Sequence, residues 1–211
     1  MREMDRNVIS AAFHVTIPVL MGYLAIGMAF GLMMDSAGYN VFWALLMSLI
    51  IYAGAGQYMG VTLLAAGASP LQTALMTLLL NFRHMFYGLS MLEKFRGMGL
   101  RKLYMIFSLT DETYALLASA KAPEGVREKD YYLAIALMDH SYWVLGTVLG
   151  SLLGSALSFD TTGVDFAMTA LFIVIAVDQW KAYPSHLPAL LGAGCTLVFL
   201  VLIGQQQMLL P

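Results

Sequence analysis

Apolar runs of about 17–27 residues recur along this chain, and that is the length a helix needs to cross ~30 Å of hydrocarbon. Backbone in lipid must satisfy its hydrogen bonds internally, which leaves helices or a closed barrel. Barrel strands alternate apolar and polar residues over roughly ten positions, and these runs do not. Charged residues make up 11% of the chain, less than half of the about 25% that a water-facing domain carries. The expected class is an all-α polytopic membrane protein.

Seven segments are expected, giving about six to seven transmembrane spans. Segment one runs from Val8 to Met34 with Pro18, Gly22, Gly27 and Gly31 inside it, the last two forming a G-x-x-x-G pair. Segment two, Val41 to Ala66, is too long for one simple span and carries Gly54, Gly56 and Gln57 at its middle. Segment three follows Pro70 to Leu92 and holds Asn81, Arg83 and His84; segment four, Leu103 to Ser119, holds Asp111 and Glu112. Segment five, Tyr131 to Leu157, has Asp139 and His140 near its start. Segment six is Phe166 to Trp180, closing on Asp178 and Gln179, and segment seven is Leu187 to Leu210. Connections are short, so residues 1–211 read as a single integral-membrane domain. The N-terminus, Met1 to Asn7, is charged, but no A-x-A-like cleavage site follows, and segment one is expected to stay in the membrane.

Several function classes find no support. A net charge of −2 offers no basic face for nucleic acid. The single Cys195 excludes an intramolecular disulfide and reads as packing. No H-E-x-x-H, G-x-S-x-G, P-loop or Cys/His cluster occurs, so no catalytic residue, metal or cofactor is expected.

Val19-Leu20-Met21-Gly22 with Gly27 and Gly31 is similar to Trp143-Val144-Leu145-Gly146 with Gly150 and Gly154. A three-plus-three internal repeat is one reading of this; chance recurrence of small residues is the other. Orientation is contradictory. Lys94, Arg96, Arg101 and Lys102 follow segment three, and Lys121, Arg127 and Lys129 follow segment four. Positive loops favour the cytoplasm. If segment four crosses, the two loops lie on opposite faces and the repeats are parallel. If it is re-entrant, the loops share a face and the repeats are inverted.

Charged side chains at the bilayer centre cost about 2.5–3.5 kcal/mol on insertion scales, so they face protein or water. Arg83 is either the clamp for a substrate carboxylate or one half of an ion pair with Asp111, Glu112 or Asp139. Asn81 and His84, three apart, share its helix face. Ala53-Gly54-Ala55-Gly56-Gln57 reads as the centre of a discontinuous helix whose second half aims N–H groups at an anion, or as glycines that merely allow close packing. A break within Tyr52–Gln57, its ends lining a polar cavity, is expected on the first reading. Asp111 and Glu112 suit proton or ion coupling, or are solvated if segment four is shallow. Asp139 and His140 read as a proton relay or as counter-ions to Arg83. Asp178, Gln179 and Lys181 read as interfacial, as do Trp180, Tyr183, Tyr131 and Tyr132. His14 reads as a satisfied polar side chain. The glycine faces of segments one, five and seven, with Gly192 and Gly194 on the last, suit an outside helix partner or internal packing.

Pro18-Val19-Leu20-Met21-Gly22-Tyr23, Tyr52-Ala53-Gly54-Ala55-Gly56-Gln57, Asn81-Phe82-Arg83-His84-Met85-Phe86-Tyr87-Gly88 and Thr110-Asp111-Glu112 resemble the AzlC/YgaZ family. Asp165-Phe166-Ala167 and Ala170-Leu171-Phe172 continue the similarity. The resemblance implies a secondary transporter of the bacterial inner membrane that exports valine, leucine, isoleucine and also methionine. It further implies a small AzlD/YgaH-type membrane subunit as partner and no ATPase. The rival reading is a non-transporting scaffold or assembly subunit whose buried charges are structural pairs.

Overall fold

The computed structural model describes residues 6–156, Ile173, Val177, Trp180 and residues 185–203. Every regular element among them is a helix: α1 (Arg6–Ser36), α2 (Val41–Ile50), α3 (Gly54–Ala65), α4 (Pro70–Asn81), α5 (Arg83–Ser90), α6 (Arg101–Phe107), α7 (Asp111–Ser119), α8 (Glu128–Ala156) and α9 (Leu187–Ile203). The chain divides into two compact units, residues 1–167 and residues 168–211. In the second, α9 is apolar throughout and carries an exposed Cys195, and Trp180 stacks on His186 at 3.9 Å. Asp165 to Phe172 of the family resemblance, most of segment six, Asp178, Gln179, Lys181 and Tyr183 lie outside the described residues.

Within the first unit, α1 and α8 are each long and apolar enough to cross a bilayer. They lie parallel, because their contacts advance together along both chains. A Cβ built on Gly27 would sit 3.0 Å from the Trp143 carbonyl oxygen, one on Gly31 2.2 Å from that of Thr147, and one on Gly150 2.0 Å from that of Met28. Small residues on both helices permit the backbone approach that drives association in lipid. The Gly27/Gly31 and Gly146/Gly150 faces are thus spent on each other, not left for an outside partner.

Segment four folds back on itself. Arg101 at the start of α6 pairs with Asp130 at the start of α8 at 2.8 Å, and Arg127 pairs with the same carboxylate. Lys94 donates to the last-turn carbonyls of α7, Leu117 O at 2.5 Å and Ala118 O at 3.0 Å, while Lys129 donates to Gly97 O at 3.2 Å. Both ends of α6–α7, and both positive loops, therefore lie at one end of the α1/α8 pair. Between them the chain turns at residues 108–110, and the turn reaches Tyr23 on α1 and Asp139 on α8. Those residues lie about 25 Å along α1 and about 16 Å along α8 at 1.5 Å per residue. The element is a helical hairpin whose two ends lie on one side of the α1/α8 pair.

Segment two turns back as well. Ser48 on α2 meets Thr147 (3.0 Å), and the chain breaks at residues 51–53. From there α3 returns beside α2. Gln57 donates to Ser48 (3.1 Å), a Cβ on Gly60 would touch Met47, and Tyr58 donates to Ile26 O (2.8 Å), farther along α1 than Tyr23. The two hairpins enter from opposite ends, and their turns meet where the rings of Tyr52 and Phe107 lie 6.2 Å apart. Irregular backbone at that depth is tolerated because it is enclosed by protein. With both hairpins turned back, α1 and α8, which carry the two similar stretches, run parallel.

Tyr131 and Tyr132, expected in an interfacial belt, are 4% and 1% exposed. They pack with Met91, Phe95 and Met105 in the core at the positive end. One labelling experiment checks this arrangement. On a Cys195→Ser background, Arg96→Cys and Glu124→Cys are expected to react with an impermeant maleimide from one side of the membrane, and Ala37→Cys and Ala66→Cys from the other. Labelling of positions 96 and 124 from opposite sides would mean that α6–α7 crosses.

Candidate functional site

The break after α2 is built on strain and its compensation. Tyr52 has φ +42°, a left-handed conformation that costs an L residue about 1–2 kcal/mol. Its ring is held by stacking on His140 at 4.1 Å and is 3% exposed. With the helix ended, the Tyr52 N–H reaches Met47 O (3.4 Å), and the Ser48 carbonyl loses the partner a continued helix would give it. His140 Nε2 donates to that carbonyl at 3.1 Å, and Nδ1 accepts from the Tyr104 hydroxyl at 3.0 Å. One neutral tautomer satisfies both bonds.

Gln57 closes the same break. Its Oε1 accepts from Trp143 Nε1 (2.9 Å) and from Ala53 N (3.3 Å), and its Nε2 donates to Ser48. The side chain is fully buried, so its amide pins the α2–α3 turn to α8. Gly54 and Gly56, half-buried in the first turn of α3, meet different neighbours. A Cβ on Gly54 would lie 3.5 Å from the Trp143 ring, and one on Gly56 3.6 Å from the Asn81 amide nitrogen. The end of α4 thus sits against the start of α3.

Between α4 and α5, Phe82 keeps helical dihedrals (φ −55°, ψ −35°), but the hydrogen-bond ladder is interrupted there. His84 Nδ1 donates to Asn81 O at 3.2 Å. Arg83 reaches Asp111 at 2.8 Å, the partner being Asp111 rather than Glu112 or Asp139. Tyr87 donates to the other Asp111 oxygen at 2.6 Å and stacks on Tyr114 at 4.3 Å.

The turn of α6–α7 completes the site. Thr110 is the N-cap of α7, accepting from Thr113 N at 3.2 Å, and Asp111 and Glu112 occupy the first helical turn. Carboxylates there complement the positive end of the helix dipole. Tyr23 Oη lies 2.8 Å from Glu112 Oε2 and 2.6 Å from Thr110 Oγ1. Thr113 donates to Asp139 Oδ2 at 2.8 Å. Asp139 is fully buried, and its Oδ1 has no hydrogen-bond partner among the described residues.

The ten residues read in the sequence as substrate or coupling sites therefore fall around the two hairpin turns and the α4–α5 interruption. Their hydroxyl and aromatic partners Tyr23, Ser48, Tyr52, Tyr87, Tyr104, Thr113, Trp143 and Thr147 were not among them. Of these, Thr113 carried a signal, since Thr110-Asp111-Glu112-Thr113 is a helix-start pattern in the middle of an apolar run. His14 bonds Ser10 O at 2.7 Å on an exposed face, away from the site.

Residues 18–157 match the model of the AzlC protein family. The chain is 39% identical to the branched-chain amino acid transport protein AzlC of Bacillus subtilis, over 95% of this chain and 79% of that protein. It is 47% identical to an uncharacterized membrane protein of Helicobacter pylori, covering 94% and 87% of the two chains. With the inner membrane protein YgaZ of Escherichia coli it shares 34% identity over 84% of this chain and 76% of that one. No solved structure matches.

Proposed function

This chain belongs to the AzlC family, and on that premise we propose that it is a secondary transporter that exports branched-chain amino acids, and methionine, across a bacterial inner membrane. The name of the Bacillus subtilis relative, a branched-chain amino acid transport protein, supports the substrate class. The observation that carries the mechanism is the meeting of the α2–α3 and α6–α7 turns at one polar cluster against two continuous helices, α1 and α8, with the α4–α5 interruption joined to it through Arg83 on Asp111 and Asn81 beside Gly56. Discontinuous helices at mid-depth are how transporters present backbone and charge to a zwitterion.

In this reading the substrate carboxylate meets the first turn of α3, Gly54 and Gly56, positioned by Gln57, with Arg83, Asn81 and His84 across from it. Asp111, Glu112, Asp139 and His140 serve the ammonium group and the coupling proton. By the positive-inside rule the end carrying Lys94, Arg101, Arg127 and Lys129 is cytoplasmic. Residues 1–211 act as one domain, with a small AzlD/YgaH-type membrane subunit as partner and no ATPase.

The test is uptake of labelled valine into inside-out vesicles, with the chain co-expressed with its small subunit. Vesicles acidic inside are expected to accumulate valine, and collapse of the gradient is expected to end accumulation. Arg83→Lys keeps the charge but loses the two-pronged geometry, and uptake at equal expression is expected to fall about tenfold, the equivalent of ~1.4 kcal/mol. Absence of uptake by the wild type, with or without a gradient, would favour the scaffold reading.

A further inference from the structure

We infer that Glu112 and Asp139 are the two ends of a proton wire whose links are the hydroxyls of Tyr23, Thr110 and Thr113. The inference rests on the gradient-coupled reading above and adds the route. Oxygen-to-oxygen steps run without a gap: Glu112 Oε2 to Tyr23 Oη 2.8 Å, Tyr23 to Thr110 Oγ1 2.6 Å, Thr110 to Thr113 Oγ1 3.1 Å, and Thr113 to Asp139 Oδ2 2.8 Å. Each is within ordinary hydrogen-bond length. The groups come from α1 (Tyr23), the α6–α7 turn (Thr110), the first turn of α7 (Glu112, Thr113) and α8 (Asp139), so their continuity is a property of the tertiary fold rather than of one helix.

The hydroxyl count decides what the chain can do. One hydroxyl donates one hydrogen bond, so Tyr23 cannot donate to Glu112 and to Thr110 at once: it accepts from one while donating to the other. The wire therefore has two complete orientations. In the first, protonated Glu112 donates to Tyr23, Tyr23 to Thr110, Thr110 to Thr113, and Thr113 to the Asp139 carboxylate. Four protons then shift by one link each: the O–H bonds of Glu112, Tyr23, Thr110 and Thr113 break, and new ones form on Tyr23, Thr110, Thr113 and Asp139. Glu112 ends as the carboxylate, Asp139 as the acid, and every donor points the other way. The net change is one proton moved from Glu112 to Asp139, with none gained or lost along the wire.

The surroundings fit a mobile proton. Neither Glu112 nor Asp139 belongs to a salt bridge among the described residues, whereas the neighbouring Asp111 is paired with Arg83. Two unpaired carboxylates, Asp139 buried and Glu112 half-buried, would be costly side by side, and a single proton shared along the wire leaves one charge. The other titratable groups facing it are Tyr52 of the α2–α3 turn, Tyr104 of α6, and His140 of α8, which is occupied by Ser48 and Tyr104.

Tyr23→Phe removes one oxygen at near-constant shape, and Thr113→Val does the same at the second site; Thr113→Ser keeps the hydroxyl. For each variant, the readout is gradient-driven uptake of labelled valine relative to valine–valine exchange without a gradient, in inside-out vesicles. In Tyr23→Phe and Thr113→Val this ratio is expected to fall about a hundredfold, the low end of what a positioned proton-transfer group contributes, and Thr113→Ser is expected to restore it. An unchanged ratio, whether both rates hold or both fall together, overturns the wire, since the hydroxyls then serve only the packing. A wild type that exchanges valine but ignores the gradient overturns coupling and wire together. A wild type that neither exchanges nor accumulates valine overturns the transport reading itself.

Discussion

Gly150→Ala is expected to cost the protein its fold. The added methyl carbon would lie 2.0 Å from the Met28 carbonyl oxygen and 2.6 Å from that residue's C and Cα. All three are main-chain atoms of α1, so no side chain can swing away; one helix must move off the other along the seam. Overpacking costs typically 1–3 kcal/mol and more where nothing yields, and in lipid the lost contacts are the ones that hold helices together. Gly31→Ala, at 2.2 Å from Thr147 O, is expected to behave nearly as badly, and Gly27→Ala, at 3.0 Å from Trp143 O, less so. Gly22 meets nothing within 4 Å, and Gly22→Ala is expected to be neutral or stabilising by up to ~1 kcal/mol from helix propensity. Thermal unfolding of the four variants in detergent measures the series. A Gly150→Ala protein that melts with the wild type would disprove the parallel α1–α8 seam.

Much of this fold was legible because apolar length is a strong signal, and α1 and α8 match the expected segments to within a few residues. The break in segment two was also legible, since Gly54 and Gly56 weaken a helix locally, although it falls at residues 51–53, where Tyr52 rather than a glycine takes the positive φ. The return of α3 beside α2 was not legible. Whether a broken helix continues or doubles back is decided by tertiary partners such as Ser48, Gln57 and Tyr58, which look like scattered polar residues in a linear reading. In sequence, segment four stays open between two courses. Thr110-Asp111-Glu112 announces a new helix start, and Lys94 and Lys129 belong to loops whose shared charge favours one face. Composition along an apolar run masked the first signal. The ion pair of Arg83 was foreseen as one of three, and only the placement of Asp111 on the first turn of α7 selects among them.

The pinning of the α2–α3 turn by Gln57 leads to the second large effect. Gln57→Leu is close in volume but removes two acceptor bonds and one donor bond at zero exposure. Trp143 Nε1 and the Ala53 N–H lose their partner, and Ser48 loses a donor. Each buried polar group left unsatisfied costs about 1–3 kcal/mol, so the variant is expected to lose roughly 2–6 kcal/mol. Trp143→Phe deletes the indole N–H and so breaks the same bond from its other side, at a smaller expected cost. If Gln57 and Trp143 act through that bond, the double variant must lose less than the sum of the singles, because the N–H stranded by Gln57→Leu no longer exists. A coupling of about 0.5–3 kcal/mol is the range for residues in direct contact. Unfolding of the wild type, both singles and the double in detergent closes the cycle. Strict additivity would show that the Gln57–Trp143 bond does not hold the turn against α8, and that His140, through its stack on Tyr52 and its bond to Ser48 O, ties the break to that helix.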